Sequence, residues 1–314
     1  MECVTRYREF APRPELREHI RAFFSFVPAH ERCSARRPLT RETLFEPGDP
    51  FSAPMFADAC PSVVVDLGIA CGNDGVWHNG DAPRGNVIGG MTRVGAPAPS
   101  RHAAMVGVYF QPARASSFMH LPLSELTDRI VPLDELWGAA GTDLAAELDE
   151  LSEEARVDRL ELELVQRFAE VAPRATSVDV PGLAEWTRRA RGQVSVARLA
   201  DAAGVSRQHL TRVFHEQVGV SPKLCCRLAR FHSALGYAAG GDRVAWSRVA
   251  AALGYADQSH MIAEFREFSS LTPQLIASGQ LFHPFIENAR TRHDLSRGRP
   301  DHTSAYPPES EIVT

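Results

Sequence analysis

The chain has 314 residues, 44% of them hydrophobic and 23% charged, with a formal net charge of −5. That length predicts about two domains of a globular protein, and no apolar run approaches the ~20 residues of a membrane span. The charged N-terminus MECVTRYREFAPRPELREH lacks the apolar core of a secretory signal, so a cytoplasmic location is expected, and the cysteines (Cys3, Cys33, Cys60, Cys71, Cys225, Cys226) are expected to be free thiols without C-x-x-C spacing.

Residues 1 to about 135 read as mostly β. The strongest strands are expected at Ser62–Leu67 (SVVVDL) and Met105–Phe110 (MVGVYF), with weaker ones at Val87–Met91 and Ala22–Val27. Gly and Pro punctuate the rest, in PGDP, CGND, NGDAPRG and GAPAPS. Many short strands separated by turns predict a barrel or a sandwich. Residues 140–171 are predicted helical, with Ser152 as a cap and Val157, Leu160, Leu164 and Phe168 on one face. That stripe suits either a dimerisation helix or a helix packed on its own barrel. APRATSVDVPG, residues 172–182, reads as a linker.

From Val194 to Pro273 one pattern is written twice. Gly204 and Gly254 match at a spacing of 50, while Phe214 and Phe265, and Pro222 and Pro273, match at 51. Repetition at this length means two copies of one supersecondary unit. Each copy fits a helix-turn-helix. In the first, Val196, Leu199, Ala200 and Ala203 mark a buried face. Gly204 leaves the helix in a left-handed conformation, Ser206 caps the next helix, and Leu210, Val213 and Phe214 return to the core. The second repeats this with Val249, Ala250, Leu253, Gly254, Asp257 as cap, Met261 and Phe265. Between the units, Ser221 caps and Pro222 starts a helix whose stripe is Leu224, Leu228, Phe231 and Leu235. After Gln280 the chain is polar and is expected to be disordered.

Residues 183–278 hold 12 Arg plus Lys against 7 Asp plus Glu, a surplus of five, so the remainder of the chain carries −10. A basic module on an acidic one fits a nucleic-acid partner for the module alone.

The stretches LADAAGVSRQHLTRVF, GVSPKLCCRLARFHSAL, VAAALGYADQSHMIAEFREF and LTP resemble the DNA-binding domain of the AraC/XylS family of transcriptional regulators. The resemblance implies two helix-turn-helix units joined by a long helix, with two recognition helices in successive major grooves, which lie about 34 Å apart. GVYFQPARASSFMHLPLSELTDRIVPLDELWG is similar to a segment of the cupin-like effector or dimerisation domain that such regulators often carry. The expected fold is therefore α+β multidomain: an N-terminal cupin-like β-barrel with flanking helices over 1–172, a linker over 173–182, an all-α double helix-turn-helix over 183–279 and a disordered tail over 280–314. The partners it implies are double-stranded DNA, a small-molecule effector, RNA polymerase and a second copy in a homodimer. Activation is the commoner family behaviour.

Early residues on the outer face of a recognition helix reach bases. In the first unit these are Arg207, Gln208, Thr211 and Arg212, and the resemblance assigns base contact to the last three. Arginine suits guanine and glutamine suits adenine, and Arg212 is the foremost candidate; the alternative is a surface arginine that pairs only with phosphate or Glu216. The second unit offers Gln258, Ser259, Ile262 and Ala263. Where the family commonly has arginine this chain has Ala263, and Ser270 stands where glycine is usual. The first unit is therefore expected to carry most base specificity. The second would position the domain on phosphates through Arg248, Arg266 and helix N-termini. Arg227 and Arg230 on the connecting helix either reach phosphate or brace the subdomains. Cys225 and Cys226 are either oxidant-sensing thiols or core fillers.

An enzyme is the rival class. No H-x-H pair occurs among His78, His102, His120 and the other histidines, no cysteine cluster suits zinc, and neither a phosphate loop nor G-x-S-x-G is present, so no cofactor or metal is expected. Phe24, Phe26, Val64, Trp77, Tyr109 and Phe110 describe an effector pocket or a packed core equally well. Control by a protein partner or by abundance shares every DNA-binding feature.

Overall fold

The computed structural model describes residues 6–27, 56–67, 70–71, 77–78, 85–94, 105–170, 177–239 and 244–278. The polar tail expected after Gln280, most of the Gly/Pro-rich turns, and the side chains of Cys3, Cys33, Cys71, Phe26, Trp77 and His78 lie outside the described residues.

The N-terminal strands are β1 (Arg6–Phe10), β2 (Ile20–Val27), β3 (Ser62–Asp66), β4 (Ala70–Cys71), β5 (Trp77–His78), β6 (Gly85–Ile88), β7 (Met105–Phe110) and β8 (Ile130–Pro132). Six of them form one antiparallel sheet in the order β1-β2-β7-β3-β6-β8, and β4 and β5 make a separate ribbon. The closed cupin-like barrel that was expected is not formed among the described residues. Among the described residues the sheet is open, with β1 and β8 as its edges and no ladder between them.

Alternation decides the two faces of this sheet. Phe23, Val63, Val65, Val87, Val106, Val108 and Phe110 are all fully buried on one face. There they meet α1 (Ser116–Met119), α2 (Leu133–Trp137), α3 (Ala139–Asp149) and α4 (Glu153–Glu170). Each such side chain contributes roughly 1.5–3 kcal/mol. The α4 stripe of Val157, Leu160 and Leu164 belongs to this core, and Phe168 sets its ring 4.2 Å from that of His19. Apart from the partly exposed Phe168, the stripe is thus covered by its own domain.

The C-terminal region is helical: α5 (Val180–Arg189), α6 (Val196–Ala202), α7 (Arg207–Gln217), α8 (Pro222–Ala239), α9 (Trp246–Ala252), α10 (Gln258–Ser269) and α11 (Pro273–Ala277). Helix α5 begins inside the stretch read as linker. Asp179 accepts from the Gly182 N–H at 2.9 Å, and Pro181 sits in the first turn; both are helix-start signals that the breaker composition concealed. Val178 and Val180 are buried in the helical core.

That core also takes in residues from the N-terminal half, Ala113 and a segment before β3. Phe56, Ala57 and Ala59, at 1%, 0% and 8% exposure, belong to it although they precede β3. Phe56 packs edge-on to Phe231 of α8, and the Ala57 carbonyl lies 3.0 Å from His232 Nε2.

Gly204 and Gly254 hold φ of 64° and 69°, as the turn of each unit requires. Ser270 ends α10 at φ 58°, where a Cβ costs about 1–2 kcal/mol. Ser270→Gly is expected to raise stability by about 0.5–1 kcal/mol net of its unfolded-state entropy. The measurement is the urea midpoint at unchanged slope; a lowered midpoint would contradict the strain.

Candidate nucleic-acid interface

The two recognition helices are built alike. Ser206 accepts from the His209 N–H at 3.2 Å at the start of α7, and Asp257 accepts from the His260 N–H at 2.7 Å at the start of α10. Each helix buries one side, Leu210, Val213 and Phe214 in α7, and Met261, Phe265 and Phe268 in α10. What remains faces outward at the N-terminal end, where a major-groove reader makes base contacts.

On α7 that face presents Arg207, Gln208 and Arg212 exposed and Thr211 half-buried. The Thr211 hydroxyl donates back to the Arg207 carbonyl at 2.9 Å. Arg212 pairs with Glu216 at 2.8 Å, and its Nη2 lies 3.4 Å from His209 Nδ1. An exposed pair of this kind is worth about 0–1 kcal/mol, so exchanging Glu216 for a base or a phosphate is cheap. On α10, Gln258, Ser259 and Ala263 are exposed and Ile262 is half-buried. Arg248 on α9 and Arg266 on α10 are exposed.

Sequence reasoning passed over His209 and His260. They occupy the same position of each recognition helix at the repeat spacing of 51, and that spacing was the signal that would have found them. It also passed over Glu264. This α10 carboxylate is 3% exposed and accepts from Arg227 Nε at 2.7 Å. Arg227 also bonds Glu267 at 2.6 Å, and its guanidinium lies 4.7 Å from the centre of the Phe268 ring. Arg230 donates to the Gly254 carbonyl at 3.3 Å and stands over Tyr255. Burial, reinforced by the Glu264 carboxylate, pushes the Tyr255 phenol well above its usual range. Arg227 and Arg230 therefore brace α8 against the second unit.

Cys225 and Cys226 are core fillers. Both are buried, and the Cys226 thiol donates to the Val194 carbonyl at 3.4 Å. Burial pushes Cys225 far up and Cys226 to about 11, so neither is a thiolate near neutral pH.

A family model described as a helix-turn-helix domain matches residues 199–277, and one described as a domain of unknown function (DUF6597) matches residues 8–132. No curated protein matches the chain. Among solved structures it is similar to ToxT from Vibrio cholerae, at 10% identity and a TM-score of 0.38 over 72% of this chain and 92% of that one. A structure of unsaturated fatty acid bound wild-type ToxT gives 12% and 0.38 over 72% and 90%. A further crystal form of ToxT gives 10% and 0.37 over 74% and 93%. Two capped helix-turn-helix units on one connecting helix define a DNA-binding module. The chain carries an AraC-type helix-turn-helix domain in its C-terminal region.

The two arginine pairs should respond differently to truncation. Arg227→Ala leaves a buried carboxylate without its partner and is expected to cost about 3–5 kcal/mol. Arg212→Ala should change stability by less than about 0.5 kcal/mol. Chemical denaturation of both full-length variants checks this, and equal losses would contradict the assignment of Arg227 as a brace.

Proposed function

We propose that the protein is a sequence-specific transcriptional regulator in which the first helix-turn-helix reads most of the bases. The observation that carries this is the pair of capped recognition helices, each with its apolar side packed and its polar N-terminal half outward. In this reading Gln208, Thr211 and Arg212 contact bases, with Arg207 beside them. Gln258 and Ser259 make weaker contacts, Ile262 and Ala263 touch at most a thymine methyl, and Arg248 and Arg266 hold phosphates. RNA polymerase and a second copy of the chain are its expected partners, and it acts as a regulator rather than an enzyme.

The test is selection of bound sequences from random duplexes by the full-length chain, with Arg212→Ala in parallel. Two enriched elements about one helical turn apart are expected. Loss of a good arginine–guanine pair costs about 1–3 kcal/mol. The variant should therefore lose preference at one position of the first element, by roughly 5- to 150-fold. An unchanged preference would remove Arg212 from the base-reading set, and salt-sensitive binding without enrichment would defeat sequence specificity.

In this reading a small-molecule effector acts through the outer face of the N-terminal sheet. Phe24, Gly107 and Val64 are in register across β2, β7 and β3, on the face turned away from the helices. The Phe24 ring lies over Gly107, where a Cβ would collide with it, and stacks on Tyr109 at 4.5 Å. The Arg21 guanidinium stands 4.3 Å from the centre of the Tyr109 ring. Phe110, grouped with these residues in sequence, belongs to the opposite, packed face. An apolar patch with one cationic edge suits a mostly apolar effector. A compound that raises the melting temperature of the full-length chain is expected to lose that effect in Phe24→Ala and Tyr109→Ala. An effect surviving both substitutions would place its site elsewhere. A broad apolar panel without effect would favour control by a protein partner or by abundance.

A further inference from the structure

Both recognition helices end on atoms of the N-terminal half. A helix leaves its last carbonyls without partners of its own. In α10 two of these are met from outside the helical region. The Ala57 N–H donates to the Phe268 carbonyl at 2.8 Å, and the Val94 N–H donates to the Glu267 carbonyl at 3.3 Å. Beyond the end of α7, the Thr127 hydroxyl donates to the Gly219 carbonyl at 2.7 Å. Gly219 turns the chain out of α7 at φ 88°, and a Cβ there would lie 2.9 Å from the Thr127 hydroxyl and 3.0 Å from the Leu123 carbonyl. Glycine therefore favours that approach, since a side chain there would be strained at this φ and would press on both atoms.

These three donors are tied to each other. Asp58 and Met91 exchange backbone bonds at 3.0 and 2.8 Å. The Asp128 carboxylate accepts the Thr92 N–H and hydroxyl at 2.7 and 2.6 Å, and the Asp128 N–H donates to the Gly90 carbonyl at 2.9 Å. The Gly89 N–H joins this unit to the Arg129 carbonyl at 2.9 Å, where β6 runs beside β8. One hydrogen-bonded unit of the N-terminal domain thus reaches the C-terminal ends of both recognition helices and leaves their N-terminal ends exposed.

We propose that this unit is a brace that fixes the angle between the two reading heads, so that the N-terminal domain selects which spacing of DNA half-sites the chain accepts. Helix α8 joins the heads in series. The brace adds a second connection in parallel, through Ala57, Val94 and Thr127 as positioning groups that touch no DNA. A change in the sheet then reaches both heads together, which is what coupling between two sites requires. The consequence for spacing rests on the DNA-binding reading above; the brace itself does not.

The test uses the full-length chain with genetically encoded spin labels at the exposed Ala202 and Ala251, one on each unit, and pulsed electron resonance without DNA. The unsubstituted chain is expected to give one narrow distance distribution. Thr127→Val keeps the side-chain shape, removes the donor and should broaden it. Phe56→Ala should broaden it further, and if that variant does not fold, Thr127→Val alone decides. A distribution that stays narrow in folded Thr127→Val overturns the brace. On duplexes whose two half-sites are moved apart one base pair at a time, the unsubstituted chain should prefer its best spacing by about tenfold, or ~1.4 kcal/mol. Thr127→Val should flatten that preference while single half-site affinity is unchanged. A preserved spacing preference overturns the link to DNA. Broadened distances in a chain that binds no duplex would sustain the brace and defeat the DNA-binding reading instead.

Discussion

Phe231 lies at the centre of the core that the helical region shares with the N-terminal domain. It is fully buried in α8, with Phe265 and Phe268 of α10 edge-on at 5.1 and 5.5 Å and Phe56 edge-on at 6.2 Å. Edge-to-face aromatic pairs add about 0.5–1.5 kcal/mol each beyond the area they bury. Their geometry also matters, because it seats the connecting helix, the second recognition helix and the segment before β3 on one ring. None of the three can shift without disturbing the other two, since packed cores rearrange between discrete states rather than deforming smoothly.

The helix-turn-helix units were legible in the sequence because their signals are local. Ser206 and Asp257 lie three residues from the amides they cap, Gly204 and Gly254 sit at the left-handed turns, and the apolar spacing of each helix is its own. The edge strands β1 and β8 were not anticipated, while the four inner strands β2, β7, β3 and β6 were legible for the same reason. Barrel closure was not, because alternation fixes which face a residue takes and says nothing about which edges meet. The segment around Phe56 was illegible from the other direction. It is short, flanked by Pro54 and Pro61, and has no period, and its partner His232 is 175 residues away from Ala57. The start of α5 was hidden because Asp179 and Pro181 serve equally in a turn and in a helix start.

The outer faces of the two units were read correctly as faces, since exposure follows from the buried periodicity. The roles of Arg227 and Arg230 were not decided by pattern. Both lie off the apolar stripe of α8, and only the tertiary fold brings Glu264 and the Gly254 carbonyl to them. Glu264 itself follows the exposed Ala263 and precedes the buried Phe265, so its place at the boundary gave no warning of near-complete burial.

A carboxylate this buried is a poor means of adding stability. Desolvation opposes the attraction to Arg227, and apolar residues of similar volume often serve as well. What an ion pair adds over an apolar contact is direction. Arg227 Nε and Nη2 take Glu264 and Glu267, two residues of α10 three apart, at 2.7 and 2.6 Å, so rotation or sliding of α10 against α8 breaks at least one bond. The backbone of Glu267 is at the same time an acceptor for Val94. Residues 264–268 are thus held from α8 through side chains and from the N-terminal domain through main chain. If the second head contributes position more than base reading, as Ala263 implies, this is the part of the molecule where orientation has to be exact, and it is also where two independent sets of directional bonds converge.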